Sequence, residues 1–148
     1  MKKQVVLSLL LTLYSFSLLA NSQPEESAHK DWHTQSNYQE LISTHLHFDL
    51  SVDFKQRQLK GFVEHTIAPM ARMPEYLHLD TRALDVYTAE IQSNGVWEKT
   101  TYKLSKNDFV RGQKLSIKIK PNTSKVRIHY NSRPEASGLQ WLTPKQTA

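Results

Sequence analysis

The stretch that decides the fold is THLHFDLSVDF, residues Thr44 to Phe54, in which apolar and polar side chains alternate without a break. Successive side chains of a β-strand point to opposite faces, so this alternation is typical of a strand with one apolar face. The apolar face holds Thr44, Leu46, Phe48, Leu50, Val52 and Phe54, and the polar face holds His45, His47, Asp49, Ser51 and Asp53. A polar turn and a second alternating stretch, Leu59 to Ile67, come next. We therefore predict a long antiparallel hairpin whose apolar face lies in the core.

Further alternating stretches follow the hairpin and are separated by turn signals. They cover residues 76–80, 86–91, 96–104, 115–119 and 126–130. Ser93-Asn94-Gly95 indicates a tight hairpin turn, because Asn-Gly accepts the positive φ that such turns require. About seven strands with no convincing helix predict an all-β fold, an antiparallel β-sandwich.

The first residues resemble a secretory signal peptide. A basic start, Met1-Lys2-Lys3, precedes an uncharged apolar run from Val5 to Ala20, and small residues follow at Ala20 and Ser22. A retained membrane anchor is the alternative, but the run is short for a bilayer and a cleavage site follows it directly. We predict a signal peptide over residues 1–22, export to the periplasm or the medium, and no membrane attachment after cleavage.

Composition limits the rest of the chain. The 148 residues contain no cysteine, so the exported protein must be stable without disulfides, and a lipid-anchored lipoprotein is excluded. The net charge of +5 is spread along the chain without a basic run, which argues against nucleic acid as a partner. We predict a flexible polar lead-in over residues 23–40 and one β domain over residues 41–148.

Histidines are the most obvious candidates for chemistry. His45 and His47 share one strand face with Asp49, and such a row could hold a metal ion. No third and fourth ligand can be identified, so a solvent-facing polar row on an outer strand is the better interpretation. His65 would fall on the core side or on the partner strand. His78 and His129 are single polar positions within strands, without a shared motif.

Two further groups of residues have a functional and a structural interpretation. Asp80-Thr81-Arg82 follows a strand directly, and we expect Asp80 to pair with Arg82 while Thr81 bonds the backbone. A substrate-carboxylate site on Arg82 is the weaker alternative. The aromatic residues could form a sugar-binding platform or pack on strands, and the sequence does not separate these possibilities. They are Trp97, Tyr102 and Phe109.

The last dozen residues are unusually apolar for a chain end. Leu139, Trp141 and Leu142 lie there, and the chain stops six residues after Leu142. A terminus normally frays into polar sequence. We therefore expect the burial partner to be further polypeptide, with the β domain truncated at its C-terminal edge. Such an exposed apolar edge predicts marginal stability, self-association or partner binding.

Four stretches together resemble a known family. They are Thr44 to Phe54, Gln58 to Gly61, Leu79 to Arg82 and, most specifically, Ala136 to Thr147. Over roughly residues 30–148 the chain resembles the N-terminal β domain of the aminopeptidase N family of zinc metallopeptidases, in its leukotriene hydrolase/aminopeptidase branch.

The resemblance implies a saddle-shaped β domain that precedes a catalytic domain of thermolysin type and a helical domain. The family's exopeptidase motif G-x-M-E-N and zinc motif H-E-x-x-H do not occur in these 148 residues. In the family this domain also lends a glutamine to the substrate pocket, but that segment would begin after Ala148. Gln140 and Gln146 do not occupy the position, so no catalytic, cofactor-binding or metal residue is carried over.

The resemblance thus implies a non-catalytic domain of an exported zinc aminopeptidase, with zinc and the peptide substrate bound only by the intact enzyme. Its partner would be the catalytic domain of the same polypeptide, docking near Leu139, Trp141 and Leu142. A stand-alone exported β-sandwich binding module is the alternative. An unrelated metal- or sugar-binding sandwich is a third possibility.

Overall fold

A computed structural model describes residues 31–147 of the chain. The predicted signal peptide lies outside these residues, as do residues 23–30 of the predicted lead-in. The described part forms eight strands and a single helical turn. They are β1 (Leu41–Asp53), β2 (Gln58–Pro69), β3 (Tyr76–Thr81), β4 (Leu84–Ser93), β5 (Val96–Thr100), β6 (Tyr102–Leu104), β7 (Gln113–Lys118), β8 (Thr123–Ser132) and α1 (Pro144–Thr147). No helix within this part is long and apolar enough to cross a membrane.

The strands form two antiparallel sheets. The large sheet has the order β1-β2-β8-β4-β5, and the small sheet has the order β3-β7-β6. Apolar side chains from both sheets form one core, centred on Ile91 of β4, Ile117 of β7 and Val126 of β8. The predicted all-β antiparallel sandwich is confirmed.

One predicted strand is in fact two. The stretch 96–104 divides into β5 in the large sheet and β6 in the small sheet, with Thr101 between them. The Lys118 N–H donates to the Thr101 carbonyl at 2.9 Å, which holds the crossing point against the end of β7. Strands commonly change sheets at such corners. Side-chain alternation continues through the corner, so the sequence pattern does not reveal it.

The turn between β4 and β5 forms as predicted. Asn94 and Gly95 have φ values of 53° and 80°, and Ser93 pairs with Val96 across the turn. Positive φ at both central residues is the requirement of the two-residue hairpin turn that matches the twist of the strands.

The hairpin of β1 and β2 forms in the predicted pairing, with Phe48 opposite Val63, but its burial differs from the prediction. Leu46 is 43% exposed and Phe48 is 54% exposed, and Val52 and Phe54 are also exposed. The prediction that the apolar face of β1 lies in the core is therefore wrong. β1 is the edge strand of the large sheet, and among the described strands only β2 makes extensive contact with it.

The described part of the predicted lead-in is hydrogen-bonded to β3. Asp80 accepts hydrogen bonds from the Thr34 hydroxyl and from the Gln35 N–H. The Asn37 side chain donates to the Tyr76 carbonyl and accepts from the His78 N–H, both at 2.9 Å. These bonds hold residues 34–37 against β3, and the flexibility of the lead-in over residues 23–40 stays a prediction.

Candidate functional site

The histidine row of β1 lies on the outer face of the large sheet. His45, His47 and Asp49 are exposed there, on the edge strand, as expected for a solvent-facing polar row. Within residues 31–147, no group of three or more His, Cys, Asp or Glu side chains is arranged to hold a metal ion. The described residues therefore do not fit a zinc site.

His65 and His78 each have a local environment that accounts for them. His65 of β2 lies on the side that faces the small sheet, with Nδ1 2.9 Å from Ser43 Oγ. The ring of His78 stacks on Tyr76, with centroids 6.0 Å apart and planes 4° apart. Burial lowers the pKa of His65, and burial together with the charge of Lys114 lowers the pKa of His78. The two rings belong to different sheets, so they do not form a pair.

A buried acid on the outer face of the large sheet has two cationic partners. Glu64 of β2 accepts hydrogen bonds from Lys125 Nζ at 2.6 Å and from Arg127 Nη2 at 2.9 Å, both from β8. These bonds, that of Lys125 foremost, hold the pKa of Glu64 below its usual value despite burial. A buried carboxylate needs such pairing to remain charged.

The same arginine is held between two aromatic rings. The Arg127 guanidinium carbon lies 4.0 Å from the centroid of Trp97 and 4.8 Å from that of Phe62. Glu90 Oε2 lies 3.9 Å from Arg127 Nη1 and is hydrogen-bonded to His129 Nε2 at 3.2 Å. This arrangement joins β2, β8, β4 and β5, and it shows Trp97 and His129 in packing roles. The opposite charges that pair across β2 and β8 are the signal that sequence reasoning missed.

Asp80 and Arg82 do not pair with each other, which corrects the prediction. Asp80 binds the segment before β1, whereas Arg82 donates to the Val110 carbonyl in the loop before β7. The Thr81 hydroxyl donates to the Gln113 carbonyl at 2.9 Å, as predicted for a backbone bond. Arg82 lies beyond the end of β3, where strand alternation no longer places it beside Asp80, and the three side chains of this cluster reach different segments.

The three candidate platform aromatics lie apart. Trp97 is on β5 of the large sheet, and Tyr102 is on β6 of the small sheet, where its hydroxyl donates to the Val86 carbonyl at 2.7 Å. Phe109 is exposed in the loop between β6 and β7. A flat binding platform needs these rings on one surface, and the fold does not bring them together.

An apolar groove opens between the two sheets beside β1. Its cavity of about 320 Å³ is lined by Leu46 and Phe48 of β1, Leu79 of β3, Leu115 of β7 and Tyr130 of β8, among others. The small sheet covers the centre of the large sheet but leaves β1 half exposed. The groove is the natural surface for an apolar partner.

The terminal apolar residues find part of their burial within the chain. Trp141 contacts Phe54 edge to face, with ring centroids 6.0 Å apart, whereas Leu142 is 49% exposed. Gln146 Oε1 accepts hydrogen bonds from the Thr143 N–H and hydroxyl, both at 2.9 Å, at the start of α1. Gln146 therefore caps a helical turn. Phe54 thus provides part of the burial of Trp141, and the expectation that further polypeptide covers this segment stays a prediction.

Similarity to known sequences covers most of the chain. The chain is 33% identical to leucine aminopeptidase 2 of Yarrowia lipolytica over 135 residues, which is 88% of this chain and 20% of that protein. It is 26% identical to leucine aminopeptidase 2 of Kluyveromyces lactis over 133 residues, which is again 88% of this chain and 20% of that protein. It is 30% identical to the leukotriene A-4 hydrolase homolog of Botryotinia fuckeliana over 125 residues, 80% of this chain and 19% of that protein. The chain thus spans about a fifth of the length of these relatives. No family model matches.

Solved structures give the same result for the fold. Yeast leukotriene A4 hydrolase in complex with bestatin superposes with a TM-score of 0.71 at 28% identity, over 84% of this chain and 20% of that one. Native yeast leukotriene A4 hydrolase gives a TM-score of 0.66 at 25% identity, over 76% of this chain and 18% of that one. Sequence and fold therefore agree that this chain matches the N-terminal domain of the leukotriene A4 hydrolase/leucine aminopeptidase 2 family.

Proposed function

We propose that this chain serves as the non-catalytic N-terminal domain of an exported zinc aminopeptidase, an enzyme that removes residues from the N-terminus of peptides. The observation that carries the proposal is the match of 88% of the chain to a fifth of leucine aminopeptidase 2. In this proposal the peptide bond is cleaved by the other four-fifths of such an enzyme, and this domain docks there and helps to line the substrate pocket.

The composition of the chain supports a non-catalytic role. Neither H-E-x-x-H nor G-x-M-E-N occurs in the 148 residues. The buried acid of the described residues, Glu64, is used in local bonds to Lys125 and Arg127. Zinc and the catalytic base therefore belong to the catalytic part of the proposed enzyme, which needs zinc as its cofactor.

The proposed docking surface is the terminal segment with Leu139, Trp141 and Leu142. Leu142 is half exposed, and the Trp141 indole N–H is buried without a hydrogen-bond acceptor among the described residues. Phe54 fixes the Trp141 ring, so the segment has a defined shape for a partner. A buried indole N–H usually has an acceptor, and the catalytic domain would supply one.

Reconstitution tests the proposal. The Yarrowia leucine aminopeptidase 2 is produced without its matched region, loaded with zinc and mixed with the full 148-residue chain. We expect leucine release from a chromogenic leucine substrate to appear only in the mixture. Leu142→Asp should reduce the restored activity about tenfold, since it places a charge in an apolar contact. Val96→Asp, on the exposed strand β5, is the matched control and should leave it unchanged.

Two outcomes would contradict the proposal. Zinc-dependent leucine release by the purified chain without the second component would show that it is catalytic. Failure of the two components to bind, with both shown to be folded, would favour the stand-alone binding module, for which the apolar groove beside β1 would be the binding surface.

Export is a separate part of the proposal and rests on residues 1–22. The protein isolated from the producing cell should begin at Gln23, which N-terminal sequencing of the exported fraction would detect. Recovery of chains that retain Met1, confined to the cytosol, would contradict export without affecting the docking role.

A further inference from the structure

We propose that the edge of β1 that no strand of residues 31–147 covers is a self-complementary interface, on which a second copy of this chain binds by antiparallel pairing of β1 with β1. The two large sheets would join into one continuous sheet. Pairing of exposed strand edges is a general mode of association, and a two-fold symmetric contact needs a surface that complements itself.

The four sheet edges differ in how they are protected. β1 has 13 residues and contains no lysine, arginine or proline. The opposite edge strand, β5, has five residues, among them Glu98 and Lys99. The small sheet ends in β3, with six residues, and in β6, with three residues including Lys103. Short strands and lysine are the usual protection of a free edge, and β1 has neither.

The backbone of β1 presents hydrogen-bonding groups to its free side. A Cβ built on Gly61 of β2 would lie 2.0 Å from the Asp49 carbonyl oxygen, so that carbonyl points toward β2. The backbone groups of successive residues in an antiparallel strand point alternately to its two sides. Leu46, Phe48 and Leu50 therefore direct their N–H and C=O groups away from β2, toward the free edge.

One register makes the pairing self-complementary. With Phe48 opposite the partner's Phe48, Leu46 faces the partner's Leu50 on the apolar side. On the polar side, His47 faces the partner's Asp49. By the two-fold symmetry, Asp49 also faces the partner's His47. The half-exposed rings and side chains of the apolar face would then cover each other. Opposite apolar residues, and opposite polar residues that can hydrogen-bond, are pairs that stabilise adjacent strands.

Neighbouring registers lack this match. A shift toward the C-terminus places Asp49 opposite the partner's Asp49, and like charges directly opposite are destabilising. A shift toward the N-terminus places His47 opposite the partner's His47 and moves Phe48 away from its own copy. The bulge between Ser43 and His45 leaves the strand regular from His45 onward, where the proposed pairs lie.

A single cysteine tests the register, because the chain contains none of its own. In the full chain carrying Phe48→Cys, mild oxidation should give a disulfide-linked dimer. Opposite residues of a hydrogen-bonded pair have Cα atoms about 5.5 Å apart, within the range that a disulfide spans. Leu46→Cys is the matched control and should not cross-link, since it faces the partner's Leu50. Equal cross-linking of both variants, or of neither, would overturn the register.

Sedimentation of the full chain tests the interface itself. We expect a dimer that Phe48→Glu converts to a monomer, while Val96→Glu on β5 has no effect. His47→Asp should weaken the dimer about tenfold, since it opposes two pairs of like charges, and adding Asp49→His should restore it. Circular dichroism would confirm that each variant is folded. A chain that is monomeric at every concentration, or a dimer that responds to Leu142→Asp but not to Phe48→Glu, would overturn the proposal.

Discussion

β1 and β8 belong to the same sheet, and both alternate apolar and polar residues, yet their surroundings are opposite. Val126 and Ile128 of β8 are 0% and 4% exposed, whereas Leu46, Phe48 and Val52 of β1 are 43%, 54% and 51% exposed. β8 lies between β2 and β4 and under the small sheet, but among the strands of residues 31–147 β1 has only β2 beside it. Alternation therefore specifies a strand, and the neighbours of the strand determine how much of it is buried.

The polar faces of the two strands differ in the same way. Arg127 of β8 lies between two aromatic rings and bonds the buried Glu64, whereas His45 and His47 of β1 are exposed. A charge at the centre of the sheet is therefore part of the packing. A polar side chain at its edge is accessible to another molecule.

The largest expected difference concerns the two apolar faces. Ile128→Ala should lower the free energy of unfolding by about 4 kcal/mol, because it removes buried groups and leaves a cavity. Leu46→Ala should lower it by less than about 1 kcal/mol, because that side chain is already half exposed. Urea denaturation of dilute protein would measure both. Similar losses for the two variants would mean that β1 is buried in solution.

The two polar faces should differ by somewhat less. Glu64→Gln should cost about 3 kcal/mol, because it leaves Lys125 and Arg127 without their shared buried carboxylate. Asp49→Asn on the exposed face of β1 should change stability by less than about 0.5 kcal/mol. The same denaturation experiment compares them, and a neutral Glu64→Gln would show that the buried pairing contributes nothing.

His65 of β2, between the two strands, should make stability depend on pH. Burial lowers the pKa of His65 in the folded state, so the unfolded chain takes up the proton at higher pH. This contribution is complete above about pH 6.5 and is lost as the pH falls below that value toward the lowered pKa. His78 acts in the same direction. His65→Gln should reduce the loss of folding stability between pH 7.5 and 5.5. If that loss is unchanged, other groups cause it.

The smallest expected effect concerns the turn at the opposite edge. Gly95→Ala should cost about 1 kcal/mol, because φ there is 80° although no atom lies within 4 Å of the added Cβ. Gly138→Ala is the matched control, since its surroundings are equally open and its φ is not positive. Equal stability of the two variants would show that the turn adapts.

Sequence reasoning predicts the local features of this fold well. The β1–β2 hairpin and the Asn94-Gly95 turn follow from alternation and from turn chemistry, which act over a few residues. The division of residues 96–104 between two sheets and the exposure of β1 depend on distant strands. No local pattern encodes them, and the prediction was wrong at both.

The candidate sites follow the same division. The backbone bond of Thr81 was predicted from its own residue type, whereas the partners of Asp80 and Arg82 come from segments far along the chain. The contact of Trp141 with Phe54 joins the chain's end to its first hairpin. The resemblance to the family was predicted correctly, because short stretches such as Ala136 to Thr147 carry it without knowledge of these contacts.

Amide hydrogen exchange tests most directly the central claim that β1 is a free edge and β8 a covered centre. In dilute protein, the Phe48 amide should exchange orders of magnitude faster than the Ile128 amide, because only the latter lies between two paired strands. At high concentration, pairing with a second copy should slow Phe48 and leave Ile128 unchanged. Equally slow exchange of the two amides at every concentration would contradict the account.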